Sequence, residues 1–367
     1  MIFNVINYAC LNRSDEMNLI IEKLIKKNHT MTNCIDDADY IFVYTCGSTE
    51  AFIRRSYDTV SDLLKKYPFK KVVVCGCSAV TAFQLYKDLP VILCSPRNYK
   101  RLQEELDIAI EEQELKKAYS TDDVKNTNNI AIVVQKGCVR KCTYCSIWMA
   151  IGKIISKSMN SIIQEVQKNV DEGKYEITIT GDCIADYGVD IGSNIIDLIN
   201  RILSVSNKIK LTVYDIHPQS FLEYFDSFAR LARGGAFKLL GIPIQSGSQR
   251  ILKKMHRDFN IEEFKEKIQE LKKYGVELST DIIVGFPGET DEDFERTISI
   301  LKEIDFDDIS VNMYTDTFYN ESRKLPDKVT NKEIIKRYVK LKNEKVNGIN
   351  EDFFEYQFMQ VLRGRKQ

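Results

Sequence analysis

No apolar run in this chain of 367 residues reaches the roughly 18 residues that a membrane-spanning helix needs. The N-terminus, Met1-Ile2-Phe3-Asn4-Val5, has no basic region and no cleavage site. No signal peptide is read, and a cytoplasmic protein is expected. Charge of one sign is not in excess, since 52 Lys and Arg stand against 53 Asp and Glu. That balance excludes a globally basic nucleic-acid binder and leaves only local basic patches. There is no repeat of solenoid type and no low-complexity tract. The ordinary apolar and charged fractions exclude disorder as the main state. Histidine is scarce, with three residues (His29, His217 and His256).

Cysteine is plentiful by contrast, with ten residues. Reducing compartments do not sustain structural disulfides, so clustered cysteines there point to metal ligation or catalysis. With so little histidine, a site of thiolates alone is favoured over a Cys/His zinc site.

Residues 1–112 alternate short β-branched runs (2–8, 40–44, 71–75, 90–94) with amphipathic stretches (15–27, 50–66). An open parallel sheet with helices on both faces is expected. Residues 113–128 are polar and aperiodic and read as a linker between domains. From 129 to 330 the alternation resumes. Strands are expected at 129–135, 176–180, 208–215, 238–245, 277–285 and 308–314, with helices such as 161–172 and 261–274 between them. This predicts a partial (β/α)6 barrel, with a doubly wound sheet as the alternative. Residues 331–367 open as a charged helix and end in the basic tail Arg363-Gly364-Arg365-Lys366-Gln367.

Cys138, Cys142 and Cys145 have the spacing C-x3-C-x2-C. They follow the first barrel strand, at the end where (β/α) barrels keep their active sites. Three thiolates in so short a loop can close on one iron–sulfur cubane and leave one iron open for a ligand. An incomplete zinc knuckle or packing cysteines is the alternative. Cys10, Cys46 and Cys77 are far apart in sequence, but each follows a strand. They should meet at the C-terminal edge of one parallel sheet, where open α/β sheets bind ligands. Burial as ordinary core cysteines is the alternative. Cys34, Cys75, Cys94 and Cys183 read as core or bystander residues.

The order Cys10-Leu11-Asn12-Arg13-Ser14-Asp15-Glu16, Thr45-Cys46-Gly47, Gly76-Cys77 and then C-x3-C-x2-C resembles the radical S-adenosylmethionine (SAM) methylthiotransferases. Thr180-Gly181, His217-Pro218, Pro243-Ile244-Gln245-Ser246, Met255-His256-Arg257 and the run from Thr280 to Thr290 extend the match over nearly the whole chain. The resemblance implies a [4Fe–4S] cluster on each cysteine triad and two equivalents of SAM per turnover. One SAM would methylate a sulfur on the N-terminal cluster, and the other would give a 5′-deoxyadenosyl radical at the barrel cluster. It implies an electron donor such as flavodoxin or ferredoxin, and a monomer is expected. It also implies SAM contacts from Tyr144, Gly181, Asp182, Gln245, Ser246, Ile283 and Gly285. His217, Asp316, Phe318 and Tyr319 are candidates for the substrate side, and no catalytic residue is assigned beyond the clusters.

Some positions depart from the family pattern. Tyr44 stands where Asn is usual, and Ile151-Gly152 and Ser156-Lys157 replace Arg-Gly and Ser-Arg. The loop 314–323 is altered. The helix and basic tail of 331–367 stand where the family has a small RNA-binding β-barrel. A peptide or protein substrate is therefore expected, methylthiolated at an unactivated carbon. A tRNA substrate is the first alternative, and another radical SAM sulfur-insertion or crosslinking reaction is the second.

Overall fold

The computed structural model describes residues 1–117, 120–123, 126–344 and 346–351. The basic tail, with the rest of 352–367 in the segment expected to replace an RNA-binding domain, lies outside these residues. Five parallel strands form the first sheet: β1 (Ile2–Asn7), β2 (Thr30–Met31), β3 (Tyr40–Thr45), β4 (Lys71–Gly76) and β5 (Val91–Cys94). Their spatial order is β2-β1-β3-β4-β5. Successive side chains of a strand point to opposite faces. Phe42 and Val73 accordingly pack with Ile20 and Leu24 of helix Ser14–Lys26 on one face. Ile41, Val43, Val72 and Val74 pack with Ile53 and Val60 of helix Glu50–Lys66 on the other. Both faces are covered, which is why these strands read as unbroken apolar runs.

The second sheet contains β6 (Ser120–Asp123), β7 (Asn126–Lys136), β8 (Ile155–Ser156), β9 (Glu176–Gly181), β10 (Lys210–Val213), β11 (Phe237–Gly241), β12 (Glu277–Val284) and β13 (Asp308–Met313). β7 and β9 to β13 run parallel, each beside its sequence neighbour. Among the described residues β13 and β7 do not pair, so this is an open six-stranded barrel rather than a closed one. Amphipathic helices return the chain outside it. Helix Asp291–Ile304, for example, starts at a Thr290/Asp293 capping box and buries Phe294, Ile298 and Leu301.

The linker reading is corrected in part. Residues 113–128 include most of a short helix, Glu112–Leu115, and β6, which pairs antiparallel with β7. β6 is a polar edge strand and carries no apolar alternation to mark it. The exposed two-residue β2 is hidden for the same reason.

A charge-balanced ion network joins the two sheets. Arg13 meets Glu16 (2.8 Å) and Asp182 (2.5 Å). Lys136 meets Asp15 (2.7 Å) and Glu16 (2.8 Å), and Lys157 meets Asp15 (2.7 Å). All six side chains are buried. Burial alone would raise the Asp15 carboxyl, but Lys136 and Lys157 together hold it at about 2. Burial lowers Lys157 in spite of Asp15. The network therefore holds by being complete rather than by the gain of any one pair.

Lys136→Met should cost about 3–5 kcal/mol in denaturant unfolding at pH 7, because two carboxylates lose a buried partner. A loss below about 1 kcal/mol, typical of exposed pairs, would contradict this. Because the folded Asp15 pKa is depressed, its contribution is present above the ordinary value of 3.8 and is lost as pH falls through about 2.

Candidate functional site

Cys46 directly follows β3 and Cys77 directly follows β4, at one edge of the first sheet. Gly76 (φ +96°) brings these ends together, since a Cβ there would lie 2.4 Å from the Thr45 carbonyl oxygen. The Cys77 amide donates to that same carbonyl (3.2 Å). The Cys10 thiol donates to the Cys46 sulfur, and Ser48 Oγ lies 3.1 Å from it. The Cys46 thiol is thereby pulled down to about 6, and Cys10 is raised well above its ordinary value. Burial pushes Cys77 up.

The barrel triad sits on the loop after β7. Gly137 (φ +89°) passes so close to Lys153 that a Cβ would lie 2.1 Å from its carbonyl oxygen. The Cys138 sulfur accepts from the Arg140 amide at 3.3 Å. Cys183 also donates to Cys138, and this lowers Cys138. Burial pushes Cys145 up to about 12.

All six thiols wall one cavity of about 360 Å³ between the two sheets. Arg13, Arg140, Arg257, Asp182, Asp215 and His217 also line it. A second cavity of about 330 Å³ shares Ser48, Tyr144, Cys145, Ile147, Gln245 and Asp281 with the first. It runs on between Phe52 and the end of β13. Three of the non-glycine residues in left-handed backbone lie at the site: Asp215 (φ 62°) and Gln245 (φ 70°) line the first cavity, and His256 (φ 55°) precedes Arg257. Such strain persists where surrounding structure holds it, often at functional sites. Burial, then Asp281, raises the Asp215 carboxyl to about 7.

The donor set suits iron–sulfur clusters. Among the described residues no three Cys, His, Asp or Glu side chains stand together as ligands of one metal ion. A cubane does not require that, because its thiolates hold different irons. Arg257 supplies the independent observation. It is 3% exposed and has no carboxylate within ion-pairing distance among the described residues. Its Nη1 lies 3.9 Å from Cys142 Sγ. A lone buried cation beside a thiol triad calls for an anionic occupant.

The other expected residues divide. Tyr144 and Gln245 line both cavities, His217 the first and Ile283 the second. Gly181 ends β9 and its carbonyl accepts from Asn12. Asp182 lines the first cavity, but its Oδ2 is already taken by Arg13 and by the Gly137 amide (2.7 Å). Ser246 and Gly285 line neither cavity. Ser246 is fully buried and accepts from the Ser248 amide. Gly285 packs on Ile334 of helix Asn331–Asn343.

Asp316, Phe318 and Tyr319 line neither cavity. Asp316 pairs with Lys328 in an outer groove. The Thr317 hydroxyl donates to Asn320 Oδ1 (2.5 Å), so this loop turns Thr317 and Asn320 inward instead. His217 caps helix Pro218–Glu223, its Nδ1 accepting from the Gln219 amide (3.3 Å). Its Nε2 is buried without a partner, and burial, with Arg257 and Arg140, lowers the ring to about 2.

Cys183, read as a bystander, lines the first cavity beside Cys138. Arg13, Asp215 and Arg140 were not expected there. Arg13 lies within the Cys10 motif, whereas Asp215 lies two residues past the end of β10 and carries no motif of its own.

Comparison with known proteins agrees with the geometry. Residues 132–301 match the Radical SAM superfamily, and residues 3–92 match the "Uncharacterized protein family UPF0004". A "tRNA-2-methylthio-N(6)-dimethylallyladenosine synthase" of Sulfurimonas denitrificans is 30% identical over 94% of this chain and 82% of its own length. A synthase of the same name from Sulfurihydrogenibium is 30% identical over 97% and 86%. A "Probable threonylcarbamoyladenosine tRNA methylthiotransferase" of Pyrococcus horikoshii is 27% identical over 84% and 76%. In fold, a radical SAM methyltransferase from Kitasatospora setae superposes with a TM-score of 0.62 at 12% identity, over 88% of this chain and 76% of that one. No helix among the described residues is long and apolar enough to cross a membrane. The chain belongs to the radical SAM methylthiotransferase family, and with that family goes the use of [4Fe–4S] clusters and SAM.

Proposed function

We propose that this chain replaces a C–H bond of a tRNA adenosine by C–SCH3. The observation that carries this is the single cavity walled by both cysteine triads. Cys138, Cys142 and Cys145 would hold the cluster that binds SAM, and Cys10, Cys46 and Cys77 the second. The bound clusters and SAM supply the radical and sulfur chemistry.

The protein's own residues position it. The Asp15, Glu16, Lys136 and Lys157 network pins the first turn of helix Ser14–Lys26, just after Cys10, to the end of β7, just before Cys138, and to the residue after β8. Tyr144, Gln245 and Ile283 wall the adjoining cavity, where they would meet SAM. Beyond them Ser48, Thr49, Phe52, Thr315 and Asn320 offer hydroxyl, amide and aromatic surface. That lining suits an uncharged planar group better than a phosphate. An electron carrier of low potential would complete the system.

The peptide reading drew on the balanced charge, on the segment 331–367 and on Asp316, Phe318 and Tyr319, and these three residues line neither cavity. The relatives named above are named for tRNA substrates. Both points favour tRNA. The test is anaerobic turnover on unmodified and prenylated or carbamoylated tRNA, with candidate peptides in parallel, followed by mass analysis. A gain of SCH3 for H on a tRNA nucleoside is expected. Incorporation into a peptide alone would contradict the proposal.

A further inference from the structure

The two triads sit in unequal electrostatic surroundings. Arg13, beside the N-terminal triad, is compensated twice, by Glu16 at 2.8 Å and Asp182 at 2.5 Å. Arg257, beside the barrel triad, is not. Its partners are Cys142 Sγ (3.9 Å), the Tyr144 hydroxyl (3.1 Å) and the Pro243 carbonyl. Its Nε is buried without a partner, as is that of Arg13, so the difference between the two lies in the carboxylates.

The barrel sulfurs also draw N–H donors from their own loop. The Arg140 amide reaches Cys138, and the Ile147 and Trp148 amides reach Cys145. At the N-terminal triad the donors come from one residue, the Ser48 amide and hydroxyl on Cys46. Reduction adds negative charge to a cluster. An uncompensated cation and N–H donors on its sulfurs therefore favour the reduced form and raise the potential.

We propose that Arg257 is a positioning residue and the counter-charge of the barrel triad. It sets the potential of the cluster on Cys138, Cys142 and Cys145 above that of the cluster on Cys10, Cys46 and Cys77. The inference rests on the two-cluster reading above. It makes the radical-forming cluster the first acceptor of an incoming electron. Charge, more than shape, carries the effect, so lysine should replace arginine here better than glutamine does, although it loses the planar fork.

The test is potentiometry of the full, anaerobically reconstituted chain, read by electron paramagnetic resonance without SAM. Iron content is measured in parallel. Variants in which one triad is changed to alanine assign the two signals. The barrel signal should appear at the higher potential. Arg257→Gln should shift its reduction equilibrium about tenfold toward the oxidised form, 59 mV for one electron. Arg257→Lys should shift it by less than half as much, and the N-terminal signal should not move in either variant.

An unchanged midpoint in Arg257→Gln with iron retained would overturn the inference and leave the two-cluster reading intact. So would a shift seen only after SAM is added, because Arg257 would then serve the SAM carboxylate. Loss of the barrel cluster from both Arg257 variants of unchanged fold would show a structural role and overturn it as well. Wild-type protein that takes up no iron at the barrel triad would instead overturn the two-cluster reading itself.

Discussion

Changing Cys138, Cys142 and Cys145 together to alanine should abolish 5′-deoxyadenosine formation and lower the iron content from about eight to about four per chain. The half that remains belongs to Cys10, Cys46 and Cys77, which come from different loops and different strands. Their convergence depends on the sheet edge and on Gly76, not on the barrel loop. Iron near zero in this variant would show that the N-terminal triad is not a site in its own right. The triple alanine change leaves the ion network at Lys136 in place, so the variant should still fold.

Cys46→Ala should have the opposite profile. Cleavage of SAM should persist, while incorporation of SCH3 should fall to background. Cys46 lines the shared cavity from the end of β3 and lies beside Ser48. Removing it takes a ligand from the N-terminal site without touching Tyr144, Gln245 or Arg257. Loss of 5′-deoxyadenosine formation in a folded Cys46→Ala protein would mean that the two halves do not divide the labour as described.

Much of this was legible in the sequence for a physical reason. The inner strands β3 and β4 of the first sheet are buried on both faces and so appear as apolar β-branched runs with clear ends, and the barrel strands β9 and β12 bury most of their residues. The C-x3-C-x2-C loop identifies itself by spacing alone. Cys10, Cys46 and Cys77 could be brought together only through the rule that parallel strands end on one edge, and that rule held. The two-residue β2 and the polar edge strand β6 carry no apolar period and are not legible.

The largest gaps concerned pairing across the interface. Nothing in the sequence shows that Asp182 would be occupied by Arg13 and Gly137, or that Lys157 would turn away from the cavity to Asp15. The loop 315–320 was read by its aromatic content. Its geometry turns Thr317 and Asn320 inward and leaves Phe318 exposed. Cys183 looked ordinary because its partner, Cys138, lies on a different strand's loop.

The central claim is that two clusters face each other across one cavity of about 360 Å³. The most direct measurement is the electron paramagnetic resonance spectrum of the fully reduced, reconstituted chain. It should be set beside the spectra of the two variants that each lack one triad. Two reduced clusters sharing such a cavity should couple. The account therefore predicts a wild-type spectrum broadened and split beyond the sum of the single-cluster spectra. A wild-type spectrum equal to that sum, with iron at both sites, would contradict it.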